Sequence, residues 1–174
     1  MAEPDAHDPH VLEAGHHPTP FTAAEIRAAS TPGKRITQVI EVAGEPPLTR
    51  VLQWTDVDEE GGTGLSYTID ADGNRSEVRR SRSTWLVLQH HASMPVATTT
   101  IDEVVLDSPL GPLDCLRYTR VDAGAVDIFW FARDFPGMPV QTERSERGRV
   151  VERVTMVERD MAPVPDEARL PDSS

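Results

Sequence analysis

Apolar and polar positions alternate with a period of two along most of this chain, which is typical of strands. The alternation is clearest at Leu65, Tyr67 and Ile69, which stand between polar residues just before the hairpin-turn sequence Asp72-Gly73. Strands are predicted at 35–42, 48–57, 65–69, 75–82, 99–107, 113–121, 125–133, 138–145 and 149–158. Short breaks, most of which contain glycine, separate the last five ranges, and they predict an antiparallel meander.

Two segments depart from this period and predict short helices. Thr22 followed by Glu25 forms a capping-box sequence ahead of a helix over 23–30. A second helix is predicted over 84–92, although a strand is the alternative there, because a short apolar run does not resolve the period. The combined pattern predicts an α+β fold. We expect a single curled antiparallel sheet, a half-barrel of about nine strands, with the two short helices covering its concave face.

The strand within residues 125–133 is predicted to be apolar on both faces. Its neighbourhood, 127–140, holds four of the nine aromatic residues in the chain (four Phe, three Trp and two Tyr in total). Alternation places Phe129 and Phe131 on one face and Trp130 on the other. If Trp130 faces the packed core, Phe129 and Phe131 face the other way, where they could line an open cavity. The following Pro136-Gly137 predicts a turn into a partner strand from Met138.

Composition divides the chain into one domain with loose ends. Residues 1–20 are acidic, proline-broken and without Lys or Arg, and they are predicted to be a flexible segment. Residues 21–159 form the predicted half-barrel domain, and its size is sufficient for a single core. Residues 160–174 are rich in proline and poor in apolar residues, so we expect a disordered tail.

Charge and hydropathy exclude several classes of partner and compartment. The net charge of −12 repels phosphate backbones, so we expect no nucleic-acid partner. No apolar run approaches the ~20 residues of a membrane span. If residue 1 is the true start, the absence of a basic and then apolar leader predicts a cytoplasmic location. The sequence does not predict an oligomeric state.

The C-terminal half carries a resemblance to a known group of proteins. The sequence Gly111-Pro-Leu-Asp-Cys-Leu-Arg-Tyr118, then Phe129-Trp-Phe-Ala132 and Pro136-Gly-Met-Pro-Val140, resembles uncharacterised bacterial proteins similar to the lipoprotein-carrier (LolA-like) half-barrel group. The resemblance covers mainly residues 100–158. The resemblance implies a curled sheet around an apolar concavity. It also implies that this concavity, and not a set of catalytic side chains, carries the function.

Five apolar residues are candidates for lining a pocket that would take an apolar small molecule or lipid. They are Trp54, Trp85, Phe129, Phe131 and Met138. The alternative is that they simply fill the core, since large aromatic residues supply much of the buried area of a small domain. A second hypothesis is a protein-interaction or structural domain without a ligand, which the charged edge around Arg79 favours.

Residues suited to catalysis or metal binding form no convincing set. His7 and His10 have the spacing of metal ligands, but the chain around them is broken by proline and offers no cysteine, so we expect no metal site. Cys115 is the only cysteine, and between Asp114 and Leu116 in a strand it is interpreted as a small buried hydrophobe. We therefore predict a non-enzymatic domain without a cofactor.

Overall fold

The computed structural model describes residues 7–166 of the 174-residue chain. These residues form two helices, α1 (Ala23–Ala28) and α2 (Trp85–His90). Their strands are β1 (Lys34–Val42), β2 (Leu48–Val57), β3 (Gly61–Ile69), β4 (Arg79–Thr84), β5 (Thr99–Ser108), β6 (Gly111–Asp122), β7 (Ala125–Ala132), β8 (Gln141–Glu146) and β9 (Arg149–Met161). Each predicted helix and strand is present; β2 has the predicted ends, and the other elements differ by a few residues at one or both ends.

All nine strands belong to one antiparallel sheet in the order β4-β3-β2-β1-β9-β8-β7-β6-β5. Consecutive strands pair from β1 to β4 and again from β5 to β9. The two series are joined by β1 and β9, where Lys34 lies opposite Met161 and Val42 opposite Glu152. The sheet curls without closing. The predicted α+β fold, a curled antiparallel sheet with two short helices, is confirmed.

Helix α1 begins at the predicted capping box. The Glu25 amide donates to Thr22 Oγ1 at 3.2 Å, and the Thr22 amide donates to Glu25 Oε2 at 2.8 Å. Phe21 and Ile26 flank this box and are both buried in the main core cluster. A six-residue helix is too short to be stable alone, so this packing fixes α1 on the sheet.

Helix α2 follows directly from the edge strand β4. Thr84 caps it by accepting a hydrogen bond from the Val87 amide at 3.2 Å. Trp85 and Ala92 are buried and Leu88 is half-buried, so the face predicted from the sequence is the one that packs. The helix interpretation is therefore confirmed over the strand alternative. Among residues 7–166, neither helix has the length and apolar character needed to cross a membrane.

Part of the N-terminal segment predicted to be flexible lies against the domain. The Gln89 side chain donates to the Pro9 carbonyl at 2.8 Å, and the Tyr118 hydroxyl donates to the Pro18 carbonyl at 2.6 Å. These donors come from distant parts of the chain, so the composition of the segment itself could not predict the hydrogen bonds. Residues 1–6 of the predicted flexible segment lie outside the described residues.

Two other boundaries differ from the prediction. Strand β9 continues to Met161, and the Gln53 side chain donates to the Ala162 carbonyl at 2.9 Å, so the start of the expected tail is held in place. Residues 167–174 lie outside the described part. Strand β8 begins at Gln141 and not at Met138. The preceding residues 133–140 form a loop, because the prolines within it offer no amide to a strand ladder.

Candidate functional site

An apolar cavity of about 260 Å³ lies between the helices and the sheet. Its walls come from α1 and the turn after it, from α2, from strands β1, β2, β7 and β9, and from the loop at 133–140. The lining is largely apolar. Concave, mostly apolar spaces with a few polar groups are the usual form of small-molecule sites, although this cavity is slightly smaller than the ~300 Å³ typical of the smaller ones.

Phe131 stands at the centre of the cavity's aromatic wall. Its ring is 5.3 Å from that of Tyr118 and 6.4 Å from that of Phe21, both in edge-on geometry. Phe129 stacks beside it with ring centroids 6.4 Å apart. Phe131 is only 3% exposed, whereas Phe129 is half-buried. Phe131 is therefore both a core residue and a cavity wall.

The two faces of β7 alternate as predicted, and each packs against a cluster of core residues. Phe129 lies opposite Tyr118 in β6, and Trp130 lies opposite Arg117. Trp130 is half-buried and packs against the core cluster that contains Cys115, whereas Phe131 on the other face is 3% exposed. Phe131 is buried more deeply because the helices cover the face that carries the two phenylalanines.

Trp54 and Trp85 form a second aromatic pair, and Trp54 belongs to the cavity wall. Their rings meet edge-on with centroids 5.5 Å apart. Trp85 lies next to Trp54 in the core, 3% exposed, and its Nε1 donates to the Asp58 carbonyl at 2.9 Å. Gly62 makes room for the pair: a Cβ there would lie 2.7 Å from the Trp54 ring and 2.9 Å from the Trp85 ring.

The loop at residues 133–140 forms another wall of the cavity, to which Met138 contributes. The Phe135 amide donates to the Ala132 carbonyl at 3.0 Å, and the Val140 amide donates to the Trp130 carbonyl at 2.8 Å. The Met138 sulfur also accepts a hydrogen bond from Gln38 Nε2 at 3.3 Å. The loop is thus tied to β7 at both ends, and its middle lies across the cavity.

Two cations are among the few polar residues that line this largely apolar cavity. Lys34 Nζ donates to the Ala29 carbonyl at 2.8 Å, and the Arg159 guanidinium lies 3.6 Å from the centre of the Phe135 ring. Burial, together with the nearby charge of Arg159, lowers the pKa of Lys34 to about 8. Burial also lowers the pKa of Arg159. Sequence reasoning missed both residues. Neither residue carries a local sequence signal of a site, although Lys34 is the only lysine of the chain.

The residues weighed for catalysis and metal binding are placed elsewhere. Cys115 is 1% exposed, and burial, helped by the Asp114 carboxylate, raises the pKa of its thiol, so it is a packed neutral group as interpreted. His10 bonds the Thr19 carbonyl at 2.7 Å. Among residues 7–166, no three His, Cys, Asp or Glu side chains are grouped to hold a metal ion.

Four of the five candidate residues meet around one cavity. Trp54, Phe129, Phe131 and Met138 line it, and Trp85 supports Trp54 from the adjoining core. They come from β2, β7 and the loop before β8, so only the fold brings them together. The arrangement offers a largely apolar surface that includes two cations.

Comparison with known proteins identifies the fold and no family. No protein-family model and no curated protein matches the sequence. Among solved structures, a crystal structure of MucB is similar with a TM-score of 0.55 and 18% identity, covering 84% of this chain. The match spans 60% of the MucB chain. The hypothetical protein CT021 from Chlamydia trachomatis has a TM-score of 0.50 and 8% identity, covering 87% of this chain and 98% of its own. These similarities are consistent with a LolA-like fold.

Proposed function

We propose that this protein is a non-enzymatic binding domain that takes an apolar small molecule or a lipid-like chain into the cavity between the helices and the curled sheet. The observation that carries the proposal is the cavity itself. It has a volume of about 260 Å³ and is walled by Phe129, Phe131 and Met138. The similarity to LolA-like structures supports a fold able to enclose such a space.

The apolar wall supplies the driving force for binding. Each methylene group transferred from water to such a surface contributes about 0.8 kcal/mol before the costs of association. The walls are also held in place beforehand, by the aromatic cluster around Phe131 and by the hydrogen bonds at both ends of the 133–140 loop. A site that is ordered in advance loses less entropy when the ligand enters.

A ligand-free interaction domain is the second candidate. The exposed side chains of Leu86 and Val87 on α2 favour it, with 57% and 47% exposure. The charged edge strand favours it less, because Arg82 pairs with Asp58 of the same chain at 2.6 Å. Exposed pairs of this kind contribute little energy and are typical of a solvated edge.

Filling the cavity tests the proposal directly. Leu88→Trp adds volume from α2 into the cavity, whereas Leu86→Trp adds the same side chain at an exposed position of the same helix. We expect the uncharged fluorescent probe N-phenyl-1-naphthylamine to bind the parent and Leu86→Trp alike, and Leu88→Trp at least ~10-fold more weakly. Unfolding midpoints of the three proteins control for stability. No probe binding by the parent, or equal binding by both variants, would contradict the proposal.

A further inference from the structure

The register of the central strand pair places two cations on the cavity side of the sheet. In β1, Lys34 and Ile36 are two residues apart and share a face. Arg159 of β9 lies directly opposite Ile36 and shares that face. All three residues line the cavity. The backbone pairing of β1 with β9 therefore places both cations on the cavity side of the sheet, whichever rotamers their side chains adopt.

On the opposite face of the same strand pair a carboxylate neutralises the positive charge, whereas on the cavity face the two positive charges have no such partner among the described residues. Arg35 and Asp160 lie opposite each other and form a salt bridge, with Arg35 Nε 2.9 Å from Asp160 Oδ1. Within residues 7–166, no carboxylate forms an ion pair with Lys34 or Arg159. The two cations repel each other next to an apolar wall, and both lose hydration there. An arrangement of this kind is stabilised when an anion binds.

We infer that the cavity takes an amphiphile with one hydrocarbon chain and an anionic head group. The chain would lie against the aromatic wall of β7 and the 133–140 loop, and the head group would lie between Lys34 and Arg159. This inference rests on the proposed function and adds to it the chemical class of the ligand.

Both cations keep donors for such a head group. Lys34 uses one of its three N–H donors on the Ala29 carbonyl. The Arg159 guanidinium lies over the Phe135 ring, 3.6 Å from its centre, and carries five N–H donors in its own plane. Carboxylate and phosphate oxygens accept from such donors in short, charge-assisted bonds.

The stacking of Arg159 on Phe135 also links the charged and apolar parts of the site. Phe135 opens the run of loop residues that wall the cavity, and that run continues to Met138. A head group at Arg159 is therefore adjacent to the apolar space for its chain. The volume of about 260 Å³ lies below the ~300 to 1,000 Å³ of typical ligand pockets, which favours a ligand with a single chain.

Three probes with the same ten-carbon chain test the head-group preference. Decanoate, decyl phosphate and 1-decanol each compete with N-phenyl-1-naphthylamine on the parent protein, Lys34→Met, Arg159→Met and the control Arg149→Gln. Arg149 is an exposed cation of β9, so the control removes an equal charge away from the cavity. We expect at least one anion to compete ~10-fold better than the alcohol in the parent and in Arg149→Gln. That preference should fall to about threefold or less in each cavity variant.

The outcomes separate this inference from the proposed function. If the alcohol and both anions compete equally, the cavity binds hydrocarbon chains without selectivity for the head group. The inference then fails, while the proposed function stands. If no probe binds, the proposed function fails and the inference with it. A preference that drops equally in Arg149→Gln would reveal a general charge effect and would also overturn the inference.

A measurement on the unmutated sequence guards against variants that fail to fold. Reductive methylation with ¹³C-formaldehyde labels Lys34, the only lysine, and keeps its charge, while the α-amino group gives a separate resonance. We expect the anion to shift the Lys34 methyl resonance at concentrations where 1-decanol leaves it much less changed. An identical response to both ligands would contradict contact between the head group and Lys34.

Discussion

Gly62 has little room for a side chain, because it lies against the two tryptophan rings beside the candidate site. A Cβ there would lie under 3.0 Å from both the Trp54 and the Trp85 rings. We expect Gly62→Ala to separate this pair and to cost about 1 to 3 kcal/mol of unfolding free energy, the usual range for overpacking. Denaturant unfolding followed by tryptophan fluorescence measures both effects.

Gly64 of the same strand gives the matched control. A Cβ at Gly64 would come no closer than 3.4 Å to the Gln53 carbonyl, and 3.7 Å to the Trp54 ring. Gly64→Ala should therefore change stability by less than ~1 kcal/mol and leave the tryptophan spectrum unchanged. Equal losses in both variants would show that strand propensity, and not the space beside the tryptophans, determines the requirement at Gly62.

Sequence reasoning at this scale identified residue types more reliably than residue surroundings. Alternation correctly separated Phe131 from Trp130, because side chains of a strand point to opposite faces. It could not predict that the helices cover the Phe131 face, since both faces read as apolar. Lys34 and Arg159 gave no local signal of a site: an isolated cation in a strand is usually solvated, and only the pairing of β1 with β9 places these two together.

At the scale of elements, Gln89 ties α2 to α1 and to the N-terminal segment. Its side chain is 3% exposed and donates to the Pro9 carbonyl and to Thr19 Oγ1, and it accepts from the Ala23 amide at 2.8 Å. Gln89→Leu would leave these three partners without their bond to Gln89. We expect a loss of about 1 to 3 kcal/mol and faster amide exchange in residues 8–20.

His90 provides a contrast on the same helix. It is exposed and pairs with Glu13 at 2.6 Å, so His90→Ala removes a contact to the N-terminal segment without leaving a buried group unsatisfied. The expected cost is below ~1 kcal/mol, and the exchange of residues 8–20 should remain near that of the parent. If Gln89→Leu behaves in the same way as His90→Ala, the segment is held by other contacts, such as that of Tyr118 with Pro18.

Elements were predictable from sequence where local chemistry marks their ends. The capping box at Thr22 and Glu25 located α1, and glycine-containing turns located most of the hairpins. The sequence carries no local signal of a contact whose partner is distant in the chain. Composition predicted a flexible N-terminal segment because the donors that hold it, Gln89 and Tyr118, are far away in the chain. The start of β8 was misplaced because one turn was predicted where two prolines extend a loop.

At the scale of the whole molecule, the pairing of β1 with β9 determines both the fold and the site. It joins two sequence-local series of hairpins into one sheet, and it brings Lys34 from the first series next to Arg159 from the second. A contact between strands more than 100 residues apart has no local sequence signature, and its loop-closure entropy must be offset by packing. The candidate cavity therefore exists only in the complete half-barrel.

This placement makes the stability of the whole domain depend on pH through Lys34. Its pKa is about 8 in the folded protein and near 10.5 in the unfolded chain. Between these values the unfolded state binds more protons, so the contribution of Lys34 to stability rises with pH. Below pH 8 both states are protonated, and the desolvated charge is a full cost. The facing cation on β9 is Arg159, and His91 reaches the cavity from α2.

Lys34→Met should therefore stabilise the protein by a pH-dependent amount. Allowing for the partial exposure of Lys34, we expect about 1 to 2 kcal/mol at pH 7. The gain should shrink as pH rises through 8 and be smallest above 10.5. Urea unfolding of parent and variant at matched pH gives this difference, in which other titrating groups, such as Tyr118 with its pKa raised to about 12 by burial, largely cancel. A gain that is constant across this range would show that the apolar contacts of methionine, and not the removal of a charge, stabilise the variant.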